Sequence, residues 1–151
     1  MTITILLLLH GIVAMALVGA ISHQLIAVWR TAPAASGARF FVRLSGVNSR
    51  LYTDAVILLY VVVVMGGGVI YPTYVLDVKA SLNDAQMLSA IGAFEIKEHV
   101  AIFGLALLPS YRYFWTDAGY VIARRLNTTV IAGIVWWSLI VGHVLNNIKG
   151  L

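Results

Sequence analysis

The chain has 151 residues, 61% of them hydrophobic and 11% charged, with a net charge of +4. A soluble domain of this length has no core large enough to hide so much apolar surface, and the long apolar blocks point instead to one small membrane domain. There is no cysteine, which removes disulfides, iron–sulfur clusters, thiolate metal sites and covalently attached c-type haem.

Four apolar stretches, near 3–29, 51–72, 88–111 and 126–147, each match the roughly 20 residues needed to cross the hydrocarbon core. The prediction is an all-α fold: a single four-span transmembrane domain over 1–151, arranged as an up-and-down four-helix bundle. A helix satisfies its own backbone in lipid, so helices are the expected spanning element. The first stretch has no basic residues ahead of it, is long for a signal-peptide core and is followed by arginines, so it is expected to be a retained span. It ends at Trp29-Arg30. The following segment carries Arg39-Phe40-Phe41-Val42-Arg43, a pattern suited to a short amphipathic turn on anionic lipid.

The second span begins after Arg50 and carries Gly66-Gly67-Gly68 before Tyr71-Pro72. An outer loop with Asp77 and Lys79 is expected next, then an N-cap at Asn83 or Asp84 with Gln86. Helix 3 is predicted from about 84 to 115, with Pro109 kinking its end. Tyr111, Tyr113 and Trp115 read as an interfacial aromatic belt with Arg112. The fourth span opens after Arg124-Arg125 and closes at Asn146-Asn147.

The basic residues follow topology and are not a nucleic-acid footprint. Arg30, Arg39, Arg43 and Arg50 lie between spans 1 and 2, and Arg112, Arg124 and Arg125 between spans 3 and 4. Lys79, Lys97 and Lys149 fall on the other side. The positive-inside rule therefore predicts that the 30–50 and 112–125 loops are cytoplasmic and both termini outside.

Ionisable residues inside a bilayer are costly and mark candidate sites. His10 sits a few turns below the outer end of helix 1. His99 lies thirteen residues before Arg112, roughly 20 Å above the inner interface, and His143 eighteen residues past Arg125, roughly 27 Å up. All three fall in the outer half. His23 belongs to the inner half, and thirteen residues from His10 leave the two side chains roughly 140° apart around the helix, against a two-haem stack. One site is expected, with His10 and His99 as the first axial pair across the bundle diagonal. Gly66, Gly67 and Gly68 reach the same depth and would admit a porphyrin edge. Close helix packing is the other reading of these glycines.

His143 has three candidate roles: alternative ligand, partner of a haem propionate, or third member of a three-imidazole site. Three imidazoles with Glu98 would suit zinc or copper. Lys97 is placed to neutralise haem propionates, and Glu95 or Glu98 to pass protons. Each histidine also has a plain reading, as a side chain that hydrogen-bonds between helices. His23, beside Gln24, is a candidate contact for a quinone head group.

With these histidines and four spans, the chain resembles the small four-helix b-type cytochromes of membranes. That group includes the cytochrome b subunits of respiratory enzymes and the four-span copper-resistance D-like and haem-dependent protoporphyrinogen oxidase-like proteins. The resemblance implies one haem b relaying electrons between a quinol pool or partner subunit and an outer-side redox partner. With two histidine ligands the iron has no open position, so an electron-transfer subunit is expected rather than a stand-alone enzyme. Two other readings remain open: an intramembrane copper or zinc binding or transport protein, and a cofactor-free accessory subunit of a larger membrane complex.

Overall fold

The computed structural model describes residues 2–29 and 50–149. The expected amphipathic turn at Arg39–Arg43, along with Arg30, lies outside the described residues. All regular structure among the described residues is helical: α1 (Thr2–Trp29), α2 (Arg50–Thr73, continuing through a π-helical turn Tyr74–Lys79 into Ala80–Asp84), α3 (Leu88–Thr116) and α4 (Val121–Lys149).

Three of these helices are long and apolar enough to cross a membrane: Ile3–Trp29, Arg50–Asp84 and Val121–Leu145. This is consistent with an integral membrane protein. The fourth expected span differs. At 29 residues α3 is as long as α4, but Glu95, Lys97, Glu98 and His99 interrupt its apolar run. No window of α3 is therefore both apolar and nearly free of charge.

Helix α2 also departs from expectation, because the loop predicted after Tyr71-Pro72 is helical. Pro72 has no N–H to give the Gly68 carbonyl, four residues back. Just beyond it the ladder widens into the π-helical turn Tyr74–Lys79. Within and beyond that wider turn, Tyr74, Val78 and Leu82, spaced by four, all stay buried. Asn83 and Asp84 consequently end α2 rather than cap α3. Helix α3 starts at Leu88 after Met87, with no side-chain cap. The turn closes through Gln86, whose φ of 56° lies in the left-handed region. Pro109 stays inside an unbroken α3.

Helix α1 packs against α2 and α4, and α3 packs against the same two. Two cores result. The larger includes Leu17, Ile21, Val56, Tyr60, Leu108, Tyr111 and Ile131. The smaller gathers Tyr74, Val78, Leu82, Ala90, Ile91, Val141 and Leu145. Arg112 pairs with Asp54 at 2.7 Å and Arg125 donates to the Val28 carbonyl at 2.7 Å, so the larger core lies toward an arginine end. Lys79 and Lys97 mark the opposite, lysine end.

Candidate functional site

Most polar side chains in and around the larger core are matched to one another. Gln24, 0% exposed, donates to the Thr53 hydroxyl at 3.3 Å and accepts from the Tyr111 hydroxyl. Trp115 donates to Thr128 at 3.1 Å, Trp136 to Ser22 at 3.0 Å and Trp29 to Thr129 at 2.9 Å. Tyr60 donates to the Ala101 carbonyl at 2.9 Å. Its hydroxyl fills the space that a side chain at Gly104 would take, so here a missing Cβ permits a bond between α2 and α3. These contacts tie all four helices. They also split the predicted aromatic belt: Tyr111 and Trp115 are buried, while only Tyr113 faces out, bonded to Tyr120 at 3.1 Å.

The lysine half is organised differently. His10 on α1 lies against α2, where a Cβ on Gly66 would stand 3.1 Å from its Nδ1 and one on Gly67 3.6 Å from its Cε1. Those two glycines make room for the imidazole. Gly68 meets nothing within 4 Å. The Nδ1 atom of His10 is buried and has no hydrogen-bond partner. On the α3 side, His10 is within electrostatic reach of Lys97 and Glu98.

His99 is exposed, and its Nδ1 lies 2.7 Å from the Glu95 carbonyl one turn back. A carbonyl only accepts, so Nδ1 carries a proton. His143 is also exposed. The Asn147 amide donates to the His143 carbonyl at 3.0 Å and to its Nε2 at 3.1 Å, which occupies that ring nitrogen.

The expected three-imidazole site with Glu98 is not assembled. Among the described residues no three histidine, aspartate or glutamate side chains are disposed to hold a metal ion. Two of the three histidines, His99 and His143, are exposed and bonded within their own helix. His23 is exposed while Gln24 points into the core, so the two do not face one ligand together. Lys97 is spoken for as well: it pairs with Glu98 at 3.0 Å and stands over the Phe94 ring at 4.2 Å. Glu95 is held by Lys79 at 2.6 Å.

Two residues here carry no sequence expectation. Phe94 stacks on Tyr74 with ring centroids 3.5 Å apart and planes 12° from parallel, and Tyr71 lies beyond at 6.5 Å from Phe94. The Tyr74 ring is 7% exposed, yet its hydroxyl has no hydrogen-bond partner. The available signal was Pro72: a proline that fails to end a helix marks a local defect, and π-helical turns are frequent at functional sites.

Taken together, the described residues form an all-helical fold with apolar spans suited to a lipid bilayer and a polar cluster toward one end. Comparison with protein-family models finds no matching family, and comparisons with curated proteins and with solved structures find no match either.

Proposed function

We propose that this protein is a membrane-embedded b-type haem protein that relays electrons. It is an up-and-down four-helix bundle with both termini on the outer side, and its arginine end is cytoplasmic under the positive-inside rule. One haem b is held in the lysine half by His10 and His99. The observation that carries the reading is the buried Nδ1 of His10, which has no partner; His99, whose Nδ1 is taken by the Glu95 carbonyl, offers its Nε2 as the second ligand. A ring whose Nδ1–H is fixed by a backbone carbonyl is oriented and made more basic, as axial and metal ligands commonly are. His143, its Nε2 held by Asn147, is not a ligand in this reading. The exchange partners are a quinol in the bilayer and a redox protein or partner subunit outside.

The test is a reduced-minus-oxidised absorption spectrum of detergent-purified protein made with haem available. Sharp b-type bands are expected, lost in His10→Ala and His99→Ala and kept in His143→Ala. A flat spectrum overturns the proposal, and so do bands that survive both of the first two substitutions.

A further inference from the structure

One costly feature in the lysine half is the Tyr74 hydroxyl, buried without a partner. A buried hydroxyl without a partner forfeits its hydration and gains nothing in return. It also stands in a fixed frame. The π-helical turn turns Tyr74 inward, Phe94 stacks flat on its ring, and Tyr71 continues the aromatic wall while remaining 41% exposed. Through the exposed Tyr71, the edge of this wall reaches the surface of the helices.

We propose that Tyr74 is the hydrogen-bond donor of a binding site for a neutral quinone head group, seated beside the Tyr71–Phe94–Tyr74 wall. A quinone carbonyl supplies the acceptor that the hydroxyl lacks. Its flat ring suits an aromatic surface, and its isoprenoid tail stays in the bilayer. The charge balance selects a neutral ligand. Lys79 and Glu95 cancel, as do Lys97 and Glu98, and Tyr74 lies within electrostatic reach of both glutamates. An anion at the hydroxyl would be repelled with no unpaired cation to offset it. The site differs from the one expected at His23, which is in the arginine half. It deepens the relay reading by giving the chemistry of its membrane-side partner, and it rests on that reading for its purpose but not for its binding contacts.

The experiment is equilibrium binding of decylubiquinone to the full chain in detergent, with and without haem. Saturable binding near one per chain is expected. Tyr74→Phe weakens it by about two- to tenfold, the range for one hydrogen bond, and Phe94→Leu weakens it by removing the wall. Tyr60→Phe, which removes a hydroxyl already bonded to a carbonyl elsewhere, leaves binding unchanged. Equal affinity in Tyr74→Phe overturns the proposal, as does non-saturable uptake that merely follows micelle partition. Loss of binding on adding phosphatidylcholine also overturns it and assigns the hydroxyl to a lipid ester carbonyl. Tyr74-dependent binding alongside a flat haem spectrum keeps this site and removes the relay.

Discussion

The two halves of this protein differ in how fully they satisfy buried polar groups, although Asn127 Oδ1 at the arginine end and Ser138 Oγ further along α4 are also buried without partners. Toward the arginine end, Gln24, Thr53, Tyr111 and Thr128 are among the most deeply buried side chains, and each is hydrogen-bonded to another helix. Toward the lysine end, the His10 ring nitrogen and the Tyr74 hydroxyl are buried without partners, and the charges of α3 pair close to home. A satisfied network holds helices in one register, because every alternative leaves a polar group bare. An unsatisfied one costs stability in the free chain and is repaired only when something supplies the missing partner. The arginine half reads as scaffold and the lysine half as site.

That contrast is open to direct measurement, most sharply in the scaffold. Gln24→Ala removes the acceptor of Tyr111 and the donor to Thr53 from a fully buried position. A loss of about 1–3 kcal/mol is expected, read as a fall in the unfolding midpoint of the detergent-solubilised protein. A change within error would mean that the network is decorative. In the site half the sign reverses. Tyr74→Phe deletes a polar group that has no partner and is expected to raise stability by up to about 1 kcal/mol in ligand-free protein. A clear loss of stability would show that the hydroxyl is already satisfied. The smallest effect belongs to the exposed ion pair at the arginine end. Asp54→Asn is expected to leave the midpoint unmoved, since solvent and salt screen such pairs. A large shift would extend the scaffold out to the surface.

Much of the fold was legible in the sequence because span length and hydropathy are set by the bilayer alone. The start of α1 and the reach of α4 follow from uninterrupted apolar runs. The end of α2 was not legible: Tyr71-Pro72 carries the marks of a helix stop, yet packing of Tyr74, Val78 and Leu82 against α3 and α4 carries the helix onward. Asn83, Asp84 and Gln86 mimic an N-cap for the same local reason. In the site, an expected depth for each histidine followed from counting residues. Which way each ring turns did not, because rotation about a helix is decided by its neighbours. Gly66 and Gly67 against His10 is one such outcome, and the exposed His143 tied to Asn147 is another. Tyr74 and Gln24 were hidden because a lone tyrosine or glutamine in an apolar run carries no periodic signal.

The polar interruption of α3 also bears on how the chain enters its membrane. With Glu95, Lys97 and Glu98 in one turn, α3 lacks the unbroken apolar stretch that lets a single segment partition by itself. Only residues 85–87 separate it from α2, and Lys79 of the α2 extension already neutralises Glu95. Helices 2 and 3 are thus suited to cross as one hairpin, the apolar member carrying the charged one, and glycosylation mapping of α3 with and without α2 reads this directly. Biogenesis, on this account, depends on a turn too short to let the two be delivered separately.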